Sequence, residues 1–574
     1  MNTTWVEKRI GGDYIDMGHK LGVDPVIPRI LTNRGIPFGK MEYFLYGEIK
    51  DLCSPHLMIN LDKLCGVLKE KIDAGKKIRI IGDYDIDGVF SSYILYAAIK
   101  RVGGNVDVLL PHRIHDGYGM NISMIEKAKA DDVDTIITCD NGIAAIDECA
   151  LARKYGICVL ITDHHELMYH MENDVKIYDL PDADVIVDPK MDKDDIYHNL
   201  CGAAICYKLS QVLYKNYGIE DLEEFLEYAA FATIGDVMPL LDENRLMVKY
   251  GLQALANTKN PGLDSLIKQC GLKDAVDISV YHIGFVLGPC INAAGRMDDA
   301  IKAFDLLNSS KESAQIMAAE LVALNEQRKS MTEEAVILAK EKIEKGNLSN
   351  VLVIYLPNVH ESLLGIIAGR LKETYERPAI VLTGYANGIK GSARSIEAYN
   401  IYEHLSECRE MFSKFGGHAL AAGLSIECSE EQIEAKVREL SDFLNSHDGL
   451  GEEDFKKKIY IDSVIPFSYI SEKMVLDLKL LEPMGTGINK PVFANRGVKL
   501  FSGRILGKNG RTFKCVATDN SGKSIDALFF GEPTEIEKIT DVCNSGREIS
   551  VLFYPQINEF RNTKTLQIVI TDYK

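Results

Sequence analysis

Short apolar runs alternate with helical sequence over residues 76–240 of the chain. Five of these runs are rich in β-branched residues and are each followed by amphipathic sequence: KIRIIG, NVDVLLP, TIITCD, CVLITD and DVIVDP. Near-continuous apolar strands that alternate with helices are typical of a parallel sheet covered by helices on both faces. The pattern therefore predicts an α/β domain built on a parallel sheet.

Acidic residues and histidines follow three of these runs. They share a position directly after a predicted strand, and they are Asp83, Asp85 and Asp87 after the first run, Asp140 after the third, and Asp163, His164 and His165 after the fourth. Ligands of parallel α/β sheets bind beyond the carboxyl ends of the strands. Because like charges gathered there repel one another unless a cation offsets them, we expect a metal centre at this edge of the sheet.

The ligand types favour hard cations. Carboxylates with one or two histidines and no thiolate suit Mn²⁺ or Mg²⁺ better than zinc. Five side chains are enough to hold two cations with one carboxylate shared, and they are Asp85, Asp87, Asp140, His164 and, in FATIGDVMPL, Asp236. Two such ions about 4 Å apart activate a water and stabilise the leaving oxygen of a phosphoryl transfer. The sequence thus predicts hydrolysis of a phosphate ester or anhydride.

Each motif also has a plainer interpretation when it is taken alone. An aspartate followed by glycine, as in DYDIDG, is often only a turn. His165 could be a hydrogen-bonded structural histidine, and Asp236 could be a loop acid. The joint occurrence of these motifs at three strand ends is what favours the metal centre.

The rest of the chain predicts three further parts. Residues 299–346 predict helix, with AAELVALNEQRKSMTEEAVILAKEKI as a long amphipathic connector. A second α/β unit opens with VLVIYLP and contains the glycine-rich stretches GIKGSARS and FGGHALAAGLS. After a charged linker, GEEDFKKK, strands alternate with turns, which predicts a small all-β barrel.

Composition excludes several classes of protein. A chain of 574 residues is too long for one core, and 46% hydrophobic with 26% charged residues is typical of folded domains. No apolar run approaches the roughly 20 residues of a membrane span, and MNTTWVEKRIGGDYIDMGHK has no apolar signal segment, so we expect a cytoplasmic protein without membrane contact. Thirteen scattered cysteines without a CxxC argue against disulfides and a zinc ribbon.

A basic segment contrasts with the net charge of −19. Residues 490–523 hold one acidic residue, Asp519, and eight basic ones, namely Lys490, Arg496, Lys499, Arg504, Lys508, Arg511, Lys514 and Lys523. Phe493, Phe501 and Phe513 are interleaved with them. The segment is a candidate polyanion contact, although an ordinary solvated face fits the charges equally well.

The motifs resemble the DHH phosphoesterase family and, within it, the RecJ single-stranded-DNA exonucleases. The matching stretches run in the expected order over about residues 25–430, and they are PRILTNRGI, GDYDIDG, LLPHRIHDGYG, CDNGIAA, TDHHE, LCGAAICYKL, ATIGDVMPL, ENRLMVKYGL, GPCINAAGRM, LNEQRKS, GSARS and FGGHALAAGLS. The resemblance implies a DHH domain over 1–300, a helical connector over 301–347, a DHH-associated domain over 348–447 and an OB-fold domain over 456–574.

The resemblance also implies a metal site and catalytic residues. The implied metal ligands are Asp85, Asp87, the bridging Asp140, His164 and Asp236. Some relatives outside the RecJ group have a further metal ligand two residues before the position of Asp83. This chain has Ile81 there, which cannot bind a metal, so Asp83 is added to the first site. His165 would lie against the scissile phosphate, with Asp140 and His164 as further catalytic residues.

The implied substrate contacts lie in both α/β units. Arg113, Ser392 and Arg394 would hold a 5′-phosphate, Tyr118 would stack on a base, and His418 would approach the phosphates. In GPCINAAGRM, Cys290 stands where the family has an arginine, whereas Arg296 remains as a substrate-binding candidate. The residues that would guide DNA along the barrel are Arg496, Lys499, Arg504, Lys508, Arg511 and Lys514. The interleaved Phe493, Phe501 and Phe513 would stack on its bases.

The function implied is a metal-dependent 5′-to-3′ exonuclease that hydrolyses single-stranded DNA to mononucleotides in DNA repair and recombination. Two Mn²⁺ or Mg²⁺ ions, single-stranded DNA, a single-strand-binding protein and a helicase are the implied cofactors and partners. The main alternative is a DHH phosphodiesterase for short oligoribonucleotides or cyclic dinucleotides, but those relatives generally stop after the associated domain. A scaffold protein without catalysis would have lost metal ligands, and an inorganic pyrophosphatase would have no use for the connector or the barrel.

Overall fold

The computed structural model describes residues 3–172, 175–192, 196–272, 277–346, 348–446, 448–507, 509–560 and 563–574. The strands in chain order are β1 (Thr3–Glu7), β2 (Lys77–Ile81), β3 (Asn105–Leu109), β4 (Thr135–Cys139), β5 (Cys158–Thr162), β6 (Tyr169–Glu172), β7 (Val175–Tyr178), β8 (Val185–Val187), β9 (Leu352–Tyr355), β10 (Ala379–Tyr385), β11 (Gly388–Arg394), β12 (Lys414–His418), β13 (Ala421–Glu427), β14 (Lys457–Ile461), β15 (Ser463–Val464), β16 (Phe493–Leu506), β17 (Thr512–Thr518), β18 (Ser524–Phe530), β19 (Ile549–Phe560) and β20 (Thr563–Tyr573).

The helices in chain order are α1 (Tyr14–Leu21), α2 (Val26–Asn33), α3 (Phe38–Tyr46), α4 (Leu61–Asp73), α5 (Ile86–Arg101), α6 (Ile122–Ala130), α7 (Ile146–Lys154), α8 (Gly202–Asn216), α9 (Leu226–Gly235), α10 (Asp242–Ala256), α11 (Pro261–Gln269), α12 (Val280–His282), α13 (Gly288–Met297), α14 (Ile301–Leu307), α15 (Ala314–Lys345), α16 (Leu364–Tyr375), α17 (Ile401–Glu407), α18 (Ile433–Ser446), α19 (Glu472–Lys479) and α20 (Pro533–Ser545). Among the helices that the structure describes, none combines the length and apolar character needed to cross a membrane.

The chain forms two compact units. The first unit, called unit 1 here, combines the segments Met1–Leu52, Pro239–Lys249 and Lys458–Lys574. The second, unit 2, combines Cys53–Met238 and Tyr250–Lys457. The residues singled out around the predicted sheet and the second α/β unit therefore all lie in unit 2, and the barrel lies in unit 1.

A five-stranded parallel sheet organises the first part of unit 2. Its strand order is β3-β2-β4-β5-β8, and every neighbouring pair is parallel. All five apolar runs predicted as strands lie in this sheet, so the predicted α/β domain is confirmed. In the central strand pair, Ile80 lies opposite Ile137, and both side chains are fully buried. Burial on both faces explains why these strands are apolar along their whole length.

The predicted helical connector is present, but it is shorter than the helical pattern. Helix α14 ends at Leu307, and the 32-residue helix α15 begins at Ala314. Between them the hydroxyls of Ser309 and Ser313 donate to the carbonyls of Leu306 and Ser310. Serine side chains that bond nearby backbone carbonyls compete with helix formation, which accounts for the break.

The second α/β part of unit 2 is a mixed sheet. Its order is β12-β13-β11-β10-β9, with β9 and β10 parallel and the other pairs antiparallel. Helix α16 links the two parallel strands, as a parallel pair requires. The glycine-rich GIKGSARS forms β11, and FGGH lies in β12. The predicted second α/β domain is confirmed.

Unit 1 contains the predicted all-β barrel. The strand order is β15-β16-β17-β18-β20-β19, and β16 also pairs with β19, which closes the sheet on itself. Closure removes the free edges that an open sheet of this size would expose. The N-terminal strand β1 belongs to the same unit: it pairs with β14, and the indole N–H of Trp5 donates to Asp572 at 2.8 Å.

A buried arginine joins distant segments within unit 1. The guanidinium of Arg245 lies 3.7 Å from the ring centroid of Phe44, and its side chain is almost completely buried. Its five backbone acceptors are the carbonyls of Phe44, Leu480, Leu481, Glu482 and Pro483, at 2.7–3.1 Å. One planar fork therefore satisfies the polar groups of the whole turn after α19.

Candidate active site

The first carboxylates lie at the tight turn between β2 and α5. Asp85 caps α5, because its Oδ1 accepts from the backbone N–H groups of Asp87 and Gly88 at 3.0 and 3.2 Å. A Cβ at Gly88 would lie 2.5 Å from the backbone of Asp83, so only glycine fits at this turn. Asp83, Asp85 and Asp87 are therefore held within a single turn of chain.

The carboxylate of Asp87 is held by the start of helix α8. Its Oδ2 accepts from the N–H of Gly202 at 2.6 Å, and its Oδ1 accepts from the N–H of Ala203 at 2.8 Å. A helix N-terminus stabilises a negative charge. A Cβ at Gly202 would lie 2.8 Å from the Cβ of Asp140 and 3.0 Å from the Oδ2 of Asp87, so the glycine of LCGAAICYKL is what lets α8 approach both acids.

Asp140 follows β4 in a left-handed backbone conformation, with φ of 61°. Among residues with a side chain, Asp and Asn tolerate this region best. The next residue, Asn141, is fully buried, and its amide donates to the carbonyls of Ile81 and Cys139 at 3.0 and 2.9 Å. Asn141 thus ties the ends of β2 and β4 together, which brings the acids of both strands to one place.

His164 lies among three carboxylates. Its Nε2 is 3.0 Å from an oxygen of Asp140, 3.6 Å from one of Asp87 and 3.8 Å from one of Asp236. The groups whose possible ligand atoms all lie within 4.8 Å of one another are Asp83, Asp85 and Asp140; Asp87, His164 and Asp236; and Asp140, His164 and His165. The structure therefore brings all six predicted metal ligands, and His165, into one cluster.

Asp163 positions the two histidines that follow it. Its Oδ1 accepts from the backbone N–H groups of His164 and His165 at 2.7 and 3.2 Å, and it lies 2.7 Å from Nδ1 of the His165 ring. Burial opposes the charge on Asp163, but the hydrogen bond from His165 outweighs it and holds the pKa of Asp163 below its ordinary value. Burial also opposes a charged His165, yet the bond to Asp163 and the nearby carboxylates raise the pKa of His165 to about 9.

The cluster is electrostatically unfavourable without a cation. Burial, and next the charge of Asp85, raise the pKa of Asp83 to about 8. Burial and next Asp87 likewise raise the pKa of Asp236 to about 8, and they raise the pKa of Asp140 as well. In the part of the chain that the structure describes, Oδ2 of Asp83 is buried without a hydrogen-bond partner. A buried acceptor without a donor, within a set of carboxylate and imidazole ligands, fits Mn²⁺ or Mg²⁺.

A cavity of about 560 Å³ lies beside this cluster, between the two α/β parts of unit 2. Tyr84, which stands between two of the ligands in sequence, lines it. The predicted phosphate-binding residues that line the cavity are Arg113, Arg296, Ser392 and Arg394. The structure thus places residues from both α/β parts around one space.

The cavity is positively charged. Burial, and next the charge of Arg113, lower the pKa of Arg296 to about 10, and the same two causes lower the pKa of Arg394. The lining carboxylate Glu361 is paired with Lys390 at 2.5 Å, so its charge is already offset. Guanidinium groups that destabilise one another in a confined space form a site for an anion, and their planar forks match phosphate.

Two predicted substrate contacts lie outside the cavity lining. The hydroxyl of Tyr118 donates to the carbonyl of Asp140 at 2.8 Å and lies about 3 Å from the ring nitrogens of His165. His418 is exposed at the end of β12, where its Nδ1 accepts from the N–H of Leu420 at 3.4 Å. Base stacking by Tyr118 and phosphate contact by His418 stay predictions.

The basic segment of the barrel, residues 490–523, has fewer unpaired positive charges in the fold than its sequence suggests. Three of the predicted DNA-guiding residues are ion-paired: Lys499 with Glu548 at 3.4 Å, Arg511 with Glu532 at 2.8 Å, and Lys514 with Asp526 at 2.8 Å. All three acids lie outside residues 490–523, so the charges counted in that segment do not include them. Arg496 and Arg504 are exposed, and Lys508 lies outside the described residues.

The expectation that three phenylalanines of this segment stack on bases is wrong for two of them. Phe493 and Phe513 are fully buried in the barrel, whereas Phe501 is 46% exposed. Alternate residues of β17 face the core, and Phe513 is one of these inward residues. Only Phe501 remains available for stacking among the three.

Sequence reasoning did not assign a role to three residues that the site uses. Asp163 orients both histidines, Asn141 joins two strand ends, and Gly202 admits α8. The position of Asp163 directly after a predicted strand was a usable signal. The roles of Asn141 and Gly202 depend on contacts across the sheet, which no local pattern displays.

Comparisons with known proteins agree with this architecture. The DHH family N-terminal domain matches residues 77–235, the DHHA1 domain matches 348–446, and the RecJ OB domain matches 461–572. The chain is 32% identical over 576 residues to the single-stranded-DNA-specific exonuclease RecJ of Bacillus subtilis, covering 99% of this chain and 70% of the relative. It is 30% identical over 580 residues to the same-named exonuclease of Salmonella typhimurium, covering 96% and 95%.

Solved structures show the same fold. The crystal structure of RecJ in complex with Mn²⁺ from Thermus thermophilus matches with a TM-score of 0.81 at 22% identity, and covers 100% of this chain and 80% of that one. A crystal structure of exonuclease RecJ bound to manganese matches with a TM-score of 0.59 at 27% identity, and covers 69% of this chain and 98% of that one. The predicted arrangement of two α/β domains, a connecting helix and an OB-fold is confirmed. The chain therefore belongs to the RecJ family of single-stranded-DNA-specific exonucleases, within the DHH family.

Proposed function

We propose that this protein is a metal-dependent exonuclease that degrades single-stranded DNA from its 5′ end to mononucleotides, in DNA repair and recombination. The observation that carries the proposal of an exonuclease is the cationic cavity beside the carboxylate cluster, which Tyr84, Arg113 and Arg394 line. A terminal 5′-phosphate carries more negative charge than an internal phosphodiester, so this cavity favours a chain end. Binding the end there sets the first internal phosphate near the cluster.

The cluster would hold two divalent cations in this proposal. The residues that would hold them are Asp85, Asp87, Asp140, His164 and Asp236, together with Asp83. Bound Mn²⁺ or Mg²⁺ would supply Lewis-acid stabilisation of the phosphate charge and would lower the pKa of water. The helix N-terminus at Gly202 and Ala203 keeps Asp87 oriented towards the same point.

The chain's own residues orient the reacting phosphate. Nδ1 of His165 bonds to Asp163, so Nε2, which lies 3.0 Å from the hydroxyl of Tyr118, is the ring nitrogen that would exchange this contact for a bond to a phosphate oxygen. A protonated imidazole there stabilises the negative charge that develops on the phosphate. Arg113, Ser392 and Arg394 hold the terminal phosphate, with Arg296 adding positive charge behind them; Tyr118 and His418 contact the first nucleotide.

The barrel guides the incoming strand. The exposed cations are Arg496 and Arg504, and the paired ones, Lys499, Arg511 and Lys514, exchange their acidic partners for DNA phosphates. Lys508 is part of the same proposed path. A single-strand-binding protein and a helicase, which expose and deliver unpaired strands, are the protein partners, and the cytoplasm is the compartment. We retain the domain bounds of 1–300, 301–347, 348–447 and 456–574 as part of this proposal.

The decisive experiment uses a single-stranded DNA oligonucleotide labelled separately at each end, with Mn²⁺ and with EDTA. We expect the 5′ label to leave as a mononucleotide while the 3′-labelled strand shortens progressively, and EDTA to stop both. Asp140→Asn is the matched inactive control, because Asn keeps the left-handed backbone that Ala would strain. Survival of long DNA together with hydrolysis of dinucleotides or short RNA would support the short-substrate alternative instead.

The phosphate cavity has a separate test. Arg394→Ala should reduce the preference for a 5′-phosphorylated over a 5′-hydroxyl strand about tenfold, because it removes one charged hydrogen-bonding fork. Turnover at saturating substrate should change far less. The measurement is kcat/KM on both strands for the variant and the wild type. An unchanged preference would remove Arg394 from the 5′-phosphate site.

A further inference from the structure

An exposed hairpin follows the two histidines of the candidate active site. Strands β6 and β7 form an antiparallel pair in which Tyr169 lies opposite Tyr178 and Met171 lies opposite Lys176. Directly opposed residues of an antiparallel pair share a face. The face made by these four residues, called the tyrosine face here, is solvent-exposed, with 52% of Tyr169, 59% of Met171 and 40% of Tyr178 accessible.

This exposure is unusual for a folded domain. Large apolar side chains scattered singly on a surface need no explanation, but a contiguous exposed patch marks an interaction site. The hairpin is closed at its base by its own bonds, because the N–H of Asp179 donates to the carbonyl of Met168 at 2.9 Å and the carboxylate of Asp179 bonds to His170 at 2.8 Å. The tyrosine face therefore belongs to a regular two-stranded element and not to an irregular loop.

The order of strands in the parallel sheet indicates on which side of the metal cluster this hairpin lies. The strands run β3-β2-β4-β5-β8 across the sheet. The phosphate cavity includes Arg113, after β3, and Tyr84, after β2, whereas the metal ligands other than Asp236 follow β2, β4 and β5. The hairpin is inserted in the chain between β5 and β8, and these two strands lie at the end of the sheet opposite β3.

A strand bound by its 5′-phosphate therefore passes three points along the sheet edge. Its first phosphate lies at β3 and β2, its scissile bond lies at the cluster, and its 3′ continuation leaves towards β5 and β8. Tyr169 is only four residues beyond His165, so the hairpin begins next to the point where the continuation emerges.

We propose that the tyrosine face of the β6–β7 hairpin is a base-stacking surface for nucleotides on the 3′ side of the scissile bond. This inference rests on the proposed function and adds a substrate subsite to it. Nucleobases stack on exposed aromatic side chains without regard to sequence. The ammonium of Lys176 lies 3.7 Å from the ring centroid of Tyr169 and 5.1 Å from that of Tyr178, so a cation for the DNA backbone sits beside both rings.

The charge of this face favours nucleic acid over a protein partner. Its one charged side chain is Lys176, and its carboxylate neighbour Glu172 lies on the opposite face, with His170 and Ile177. Aromatic rings interleaved with a cation are the combination that binds single strands, and lysine is depleted in the core of protein–protein interfaces.

The test compares substrate lengths. The variant Tyr169→Ala/Tyr178→Ala is assayed with Mn²⁺ on a 5′-phosphorylated trinucleotide and on a 5′-phosphorylated 12-nucleotide strand. We expect kcat/KM on the longer strand to fall about 10- to 100-fold, since base stacking contributes about 1–3 kcal/mol per base. Activity on the trinucleotide should fall clearly less, because it has only two nucleotides on the 3′ side of the scissile bond. Tyr169→Phe/Tyr178→Phe should behave like the wild type.

A matched control lies on the other face of the same hairpin. Val175→Ala/Ile177→Ala removes apolar surface there and leaves both tyrosines in place, so both substrates should be degraded at wild-type rates. Equal losses on both substrates, or equal effects of the two double variants, would overturn the inference, as would an unchanged length dependence. A tyrosine variant that degrades DNA normally but loses a bound protein or self-association would assign the face to protein contact instead.

Failure of this inference is distinguishable from failure of the proposed function. A wild-type protein that releases no mononucleotide from either substrate contradicts the proposed exonuclease. A wild-type protein that degrades both substrates, together with a tyrosine variant that is equally active on both, contradicts only the stacking surface.

Discussion

At the scale of single residues, the candidate active site combines charges that the folded chain holds together at a cost. Asp140 sits in a left-handed conformation, is almost completely buried, and lies among four other carboxylates that raise its pKa. Residues selected for function commonly lower stability in this way. The site should therefore reveal itself by opposite effects of one substitution on stability and on activity.

Asp140→Asn should raise the free energy of unfolding of the metal-free protein by about 1 kcal/mol, because it removes one of several repelling buried charges. The same change should abolish exonuclease activity and most of the stabilisation by Mn²⁺. Urea unfolding in EDTA and in Mn²⁺ measures both effects. A metal-free variant less stable than the wild type would contradict this account of the cluster.

Gly202→Ala should separate the two acids that face α8. Its Cβ would lie 3.0 Å or less from atoms of Asp140 and Asp87, so α8 must shift and the unfolding free energy should fall by about 1–3 kcal/mol. The Mn²⁺ concentration for half-maximal activity should rise at least about tenfold. Gly66→Ala is the control: no atom lies within 4 Å of its Cβ, and within α4 it should be neutral or slightly stabilising.

At the scale of elements, one side chain of α10 organises the turn after α19. Three of the five hydrogen bonds that Arg245 donates to these carbonyls are buried and two are part-buried, and a buried acceptor that loses its donor lowers stability. The motif ENRLMVKYGL therefore contributes to the folding of unit 1.

Arg245→Met should lower the stability of unit 1 by about 3–5 kcal/mol, since it leaves several buried acceptors unpaired. Thermal unfolding followed by circular dichroism would show a midpoint shift of several degrees. Arg9→Met, at a side chain that is 75% exposed in the same unit, should leave the midpoint almost unchanged. Equal shifts for the two variants would refute the special role of Arg245.

At the scale of the whole molecule, the sequence predicted what depends on short range. Periodicity located all five strands of the parallel sheet, and turn signals located the barrel. Long-range contacts could not be predicted from the sequence. The hydrogen bond from Trp5 to Asp572 places the first strand with the barrel, and no sequence pattern near either residue indicates this pair. The burial of Phe513 and the ion pairs of the basic segment were hidden for the same reason, because both depend on partners across strands.

Metal binding should stabilise one part of this molecule far more than the rest. We expect Mn²⁺ to slow backbone hydrogen exchange at residues 83–88, 140–141, 164–165 and 202–203, because binding to the folded state alone adds RT ln(1 + [L]/Kd) to its stability. Strands β16–β20 of the barrel should exchange at nearly the same rate with Mn²⁺ and with EDTA. Equal protection of the barrel would contradict a site confined to unit 2.

The discontinuous build of unit 1 sets an order of events during synthesis. Its N-terminal segment ends at Leu52, and its remaining long segment begins at Lys458, about 400 residues later. At about 5–20 residues per second, a ribosome needs roughly 20–80 s to cover that interval. Helix α2, whose Ile27, Ile30 and Leu31 are fully buried in the finished fold, spends that time without the barrel. The segment that ends at Leu52 is thus synthesised long before the strands with which it folds, which makes it a natural client for a chaperone.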